Sequence, residues 1–225
     1  MSACLACAEL AYKQAAQPVY VAPGAEPFTV LMAECDHEME DLARALARTR
    51  NPLLWQDEFL KLLLHYHELS HLTGQAGRGL ISLARSRAVQ AVQSGAGSTA
   101  PEADYVQGFL RSLLDKDPRY WRDDGQLDAD AVLNRMRMYQ GRMRGTAGLG
   151  FVDPLTPATE IWWVLGGTED HCLDCPYNAS VSPWTKDTLY TTPGGGDTIC
   201  LYNCRCHLAT SDGRTSPKPV PRGQS

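Results

Sequence analysis

Cys172-Leu-Asp-Cys175 and Cys200-Leu-Tyr-Asn-Cys204-Arg-Cys206, separated by a loop holding Pro193-Gly-Gly-Gly196, carry five of the chain's eight cysteines. Two thiolates on one tight turn make half of a tetrahedral zinc site, and the second run supplies the other half. The favoured ligands are Cys172, Cys175, Cys200 and Cys204. Cys206 is the alternate, because one intervening residue is a more awkward bite than two or three, and His171 and His207 stand in reserve. Zinc held by four protein ligands has no position for substrate or an activated water, so its expected role is structural. A loop-rich segment this short has little core of its own, and the metal would supply most of its folding energy. The competing reading is a set of buried unligated cysteines or a pair of disulfides.

The remaining cysteines, Cys4, Cys7 and Cys35, lie near the start, so the chemistry of the chain changes along its length. No secretory signal is evident in MSACLACAELAYKQ, which lacks a basic start and a continuous apolar core. Cysteines in a reducing compartment point to metal more than to disulfides. No apolar run reaches the roughly 18 residues of a membrane span. The net charge of −5 argues against nonspecific coating of nucleic acid.

Upstream of the cysteine-rich run the patterning is helical. Over Phe28–Thr49, the apolar residues Phe28, Leu31, Cys35, Met39, Leu42 and Leu46 recur at spacings of three and four. Asn51-Pro52 interrupts that stripe and starts a second helix to about Thr73. Ile81–Gln93, Pro101–Lys116 and Asp128–Arg144 read as further helices, with SGAGSTAP as a break. The β-formers of Glu160–Leu165, bounded by Gly166-Gly167, predict a strand entering the cysteine region. The expected fold is mainly α: an irregular helical bundle over 1–148, then a small β-containing cysteine-rich zinc module over 149–210. Residues 211–225 form a polar, proline-rich tail expected to be disordered.

The run Trp162-Trp-Val-Leu-Gly-Gly-Thr-Glu-Asp-His-Cys-Leu-Asp-Cys175, then Ser182-Pro183-Trp184, then Cys200–Leu208 with its Asn203-Cys-Arg-Cys206, resembles the C-terminal region of tailed-phage minor head proteins of the Mu-F-like head-morphogenesis family. Tyr139–Ala147 is similar to the helix leading into that region, and the resemblance spans roughly residues 130–208. Many relatives carry a His before Asn-Cys-Arg-Cys, where this chain has Cys200 nearby. The resemblance implies a minor capsid protein of the virion, made in the bacterial host cytoplasm and placed at the portal vertex or capsid interior. Its partners would be the portal protein and the major capsid or scaffolding proteins.

A rival motif is His67-Glu68-Leu69-Ser70-His71, the zincin H-E-x-x-H, which would hold zinc through two histidines on one helical face with Glu68 activating water. A third ligand is missing: Gly77 stands where the longer form has His, and no acidic residue occurs between Glu68 and Glu102. The metallopeptidase reading is therefore the alternative, and histidines at a helix–helix contact are the favoured one. Arg135, Arg137, Arg142 and Arg144 form a basic run that would contact packaged DNA or, more simply, a solvated helix face. A zinc-ribbon DNA binder is disfavoured by Glu169, Asp170, Asp174 and Asp187. Trp162-Trp163 is a candidate protein contact.

Overall fold

The computed structural model describes residues 27–76, 103–167 and 171–218. Helix α1 (Pro27–Thr49) buries the expected stripe of Phe28, Leu31, Cys35, Met39, Leu42 and Leu46, joined by Ala43. Arg50, at φ 52°, ends it, and Pro52 opens helix α2 (Pro52–Ala76). At that start the Asn51 side chain accepts the Leu54 N–H. Helix α3 (Ala103–Leu114) ends two residues before the expected Lys116. Helix α4 (Ala129–Val152) begins at Asp128, whose carboxylate accepts the backbone N–H groups of Asp130 and Ala131.

These four helices enclose the larger core, in which Trp55, Phe59, Phe109, Tyr120 and Tyr139 make a chain of ring contacts. Helix α2 packs most extensively on α4. The contact is close because glycine stands at both crossings: a Cβ on Gly74 would overlap the Ala147 carbonyl, and one on Gly150 the His71 carbonyl.

Helix α4 runs eight residues past Arg144, the end expected from sequence, since it closes at Val152. Gly145, Gly148 and Gly150 weaken intrinsic helix formation there. Packing outweighs the propensity, because Gly145 and Gly150 are approached by backbone and Gly148 by the Thr192 side chain. Along this single helix the core changes: Ala147 belongs to the bundle, while Phe151 and Val152 belong to a second core with Leu155, Ile161, Trp163, Cys175, Cys204, Cys206 and Leu208.

The second unit is built on a two-stranded antiparallel sheet. Strand β1 (Ile161–Val164) pairs with β2 (His207–Thr210), with Trp163 opposite Leu208. Ile161 also exchanges backbone hydrogen bonds with Trp184. Ile161 and Trp163 turn inward, as a period of two requires, and Trp163 is only 3% exposed. Its burial withdraws it from the surface contact expected of the tryptophan pair.

The tail also departs from expectation. After β2 the chain turns at Asp212-Gly213, with Gly213 at φ 82°, and returns so that Thr215 bridges Ala209. Ser216 is buried, exchanging hydrogen bonds with the backbone of Leu208. Residues 211–218 are thus held by the sheet edge. The helix expected at Ile81–Gln93, Cys4, Cys7, Glu169, Asp170 and residues 219–225 lie outside the described residues. Among the described residues no helix is long and apolar enough to cross a membrane.

Candidate metal centre

Each half of the cysteine motif is presented by its own short element. A two-turn helix, α5 (Asp174–Ser180), starts inside Cys172-Leu-Asp-Cys175 and carries Cys175 in its first turn. Asn178, on the same helix, is fully buried and exchanges hydrogen bonds with the Tyr190 hydroxyl, and its carbonyl accepts the Trp184 indole N–H at 3.0 Å. In the other half, Cys200 precedes a 3-10 turn (Leu201–Asn203), after which Cys204 is extended at ψ 132°. The two halves are tied together where the Asp174 carboxylate accepts the Ile199 N–H at 2.7 Å.

Five sulfurs converge, with Cys175 at the centre. Its Sγ lies 3.4 Å from that of Cys172 and 3.6 Å from those of Cys200 and Cys204. Two sets of three are within ligand reach of one another: Cys172, Cys175 and Cys200, and Cys175, Cys204 and Cys206. Zinc at about 2.3 Å from each thiolate requires sulfurs about 3.8 Å apart, so each set is close to three corners of a tetrahedron. The cluster therefore has ligand geometry compatible with a metal ion.

Cys206 is not the poor ligand its spacing implies. In extended chain, residues two apart point to the same side, so Cys204 and Cys206 both face Cys175. Cys175, Cys204 and Cys206 are at most 2% exposed, whereas Cys172 and Cys200 are half-buried. Ranking Cys206 behind the other four has no basis in this geometry. His171 and His207 join no metal-capable group among the described residues.

Hydrogen bonding among these sulfurs shifts their pKa values in opposite directions. The bond from Cys204 holds the Cys206 thiol down at about 5 despite burial. The same bond and burial push Cys204 up, and burial above all pushes up Cys175. Burial works against Cys172 as well, but hydrogen bonds from Cys175 and Cys200 leave it lowered. Buried, convergent sulfur donors suit a thiophilic metal ion.

Arg144 is the residue that sequence reading misplaced. It is 8% exposed, and its guanidinium donates to the carbonyl oxygens of Cys204 and Cys206. It therefore does not belong to a DNA-facing run. Arg137 forms a two-pronged pair with Asp36, at 2.6 and 2.7 Å, and Arg135 and Arg142 lie over the rings of Tyr139 and Tyr105. The neighbouring glycines were the available signal, since they mark the α4 face that another segment approaches. Gly145 meets Gly194–Gly195, Gly148 meets Thr192, and the Thr192 hydroxyl donates to the Gly145 carbonyl at 3.0 Å.

The H-E-x-x-H residues are used otherwise. His67 is buried, with Nδ1 2.7 Å from the Thr146 hydroxyl, and His71 Nε2 lies 3.6 Å from the Asp153 carboxylate. Glu68 has one carboxylate oxygen buried without a partner among the described residues, and burial raises its pKa. Neither histidine enters a group of three metal-capable side chains among the described residues. Comparison with family models, with curated proteins and with solved structures finds no match.

Proposed function

We propose that this chain is a structural and assembly protein whose cysteine cluster binds one zinc ion as a clasp. The observation that carries the zinc reading is the convergence of five sulfurs, with Cys175 at the centre, from two segments 25 or more residues apart. The second core is small, so a metal joining its two halves would contribute much of its stability. A site saturated by thiolates offers no coordination position for catalysis, and the role is therefore mechanical: a rigid C-terminal piece fixed to the end of α4.

The biological setting rests on the resemblance of residues 130–208 to Mu-F-like minor head proteins. In that setting the protein joins the head during assembly, at the portal vertex or capsid interior, through contacts with the portal, major capsid or scaffolding protein. Support within the chain comes from the motif itself, since Cys172-x-x-Cys175 and Asn203-Cys-Arg-Cys206, which carry the resemblance, are the two halves that meet. The test is paired. Metal analysis of the purified chain should return about one zinc per molecule. Co-purification with a co-expressed phage portal protein should succeed with the zinc-loaded protein and fail after Cys175→Ser. A metal-free native protein removes the clasp, and zinc-loaded protein that binds no head component removes the assembly role.

A further inference from the structure

Arg144 carries a permanent charge into the boundary between the two cores. Its two fork nitrogens meet backbone carbonyls, and among the described residues its Nε has no partner and no carboxylate pairs with it. Carbonyl dipoles orient a guanidinium but do not balance its charge, and a buried cation without a counter-charge is strongly unfavourable. The groups around it that favour its charged form are Cys204, Cys206 and Cys200, against which Arg205 is repulsive. Protonated thiols and disulfides are neutral and offer no counter-charge. A divalent ion surrounded by three or more thiolates carries a net negative charge, and does.

Building on the zinc reading above, the geometry points to Arg144 as the charge partner of an anionic thiolate–metal centre, a positioning residue that ties the loaded cysteine cluster to helix α4. The helix supplies the cation, and the loaded module supplies the anion beside it. The Cys204 and Cys206 carbonyls held by the fork fix the backbone between two ligands, so the same side chain orients the sulfurs and balances their charge.

The test uses the full chain with Arg144→Met, which keeps apolar bulk without charge, and Arg144→Lys, which keeps charge without the fork. Zinc affinity is read by competition with a chromogenic chelator, and the sulfur-to-metal charge-transfer band by cobalt substitution. Arg144→Met should bind zinc about 10–100-fold more weakly than the natural chain. Its band should move to longer wavelength, because the thiolate electrons lose a stabilising charge. Arg144→Lys should lose clearly less affinity and leave the band in place.

Equal affinity in Arg144→Met and the natural chain overturns the proposal, as does a loss in Arg144→Lys as large as in Arg144→Met. If Arg144→Met does not fold in excess zinc, Arg144→Lys decides alone: within about tenfold of the natural chain it supports the charge role, and beyond that it overturns it. A natural chain that binds no zinc defeats the zinc reading itself, which is a separate outcome.

Discussion

The sulfurs of Cys175 and Cys204 lie 3.6 Å apart across a separation of 29 residues. Cys175 is also the one cysteine common to both sets of three, so its loss breaks both. Cys175→Ser should reduce bound zinc from about one equivalent to near zero and melt the second core, whose tryptophans Trp163 and Trp184 report through near-ultraviolet dichroism. Cys172→Ser and Cys206→Ser each leave four cysteines and should weaken zinc binding without abolishing it. Cys35→Ala should leave zinc content unchanged, since that thiol is in the bundle core beside the Met143 sulfur at 3.7 Å. Metal content of the four variants, measured after gel filtration, checks this order.

Glycine-to-alanine substitutions should separate packing from propensity. Gly108 is exposed in α3 with nothing near an added Cβ, so Gly108→Ala should stabilise the bundle by about 0.5–1 kcal/mol. Gly150→Ala makes the same gain in propensity but drives a methyl group into the His71 carbonyl. It should destabilise by about 1–3 kcal/mol as α2 and α4 are forced apart. Urea unfolding of both variants tests the opposite signs.

Ser216 should matter to the strand it follows. Its hydroxyl accepts the Leu208 N–H at 2.9 Å, and its own N–H donates to the Leu208 carbonyl at 2.9 Å. Ser216→Ala leaves the buried Leu208 N–H unmatched and should cost about 1–3 kcal/mol. Truncation after Thr210 removes both bonds and should cost more. Thermal melts of the zinc-loaded proteins are the measurement. A tail that contributes nothing would leave both melts in place.

Glu68 sets a pH-dependent cost. Burial raises its pKa in the folded chain, so the unfolded state is the more ionised of the two between the ordinary carboxylate range and the raised value. For a carboxyl shifted upward, the stability contribution is complete below the ordinary carboxylate range and is lost as pH rises through the folded pKa. Glu68→Gln should therefore melt about 1–3 °C higher at pH 7, with the difference vanishing near pH 3. A lower melting temperature at pH 7, or a zinc-dependent peptidase activity abolished by the same substitution, would return Glu68 to a functional role.

Much of the bundle was legible because it is written in local periodicity. The α1 stripe from Phe28 to Leu46, the proline start of α2 and the Asp128 cap are each dictated by residues within a turn or two of one another. The convergence of the cysteines was legible from their spacing, and β1 from its alternating β-formers. The Asp212-Gly213 turn was also readable as a hairpin signal, but the polar composition of the tail obscured it.

By itself the sequence determined where helices start, which faces are apolar and which sulfurs belong together, since all of these depend on near neighbours along the chain. Only the tertiary structure decided that α4 continues through Gly145–Val152, that Arg144 turns inward onto the Cys204 and Cys206 carbonyls, and that Cys206 joins Cys175 and Cys204 in one metal-capable set. Each depends on what another part of the chain presents: a carbonyl that tolerates no Cβ, a pair of acceptors for a buried guanidinium, an extended backbone that brings alternate residues to one side. Propensity and spacing are properties of a segment alone, and at these positions the approaching segment outweighs them.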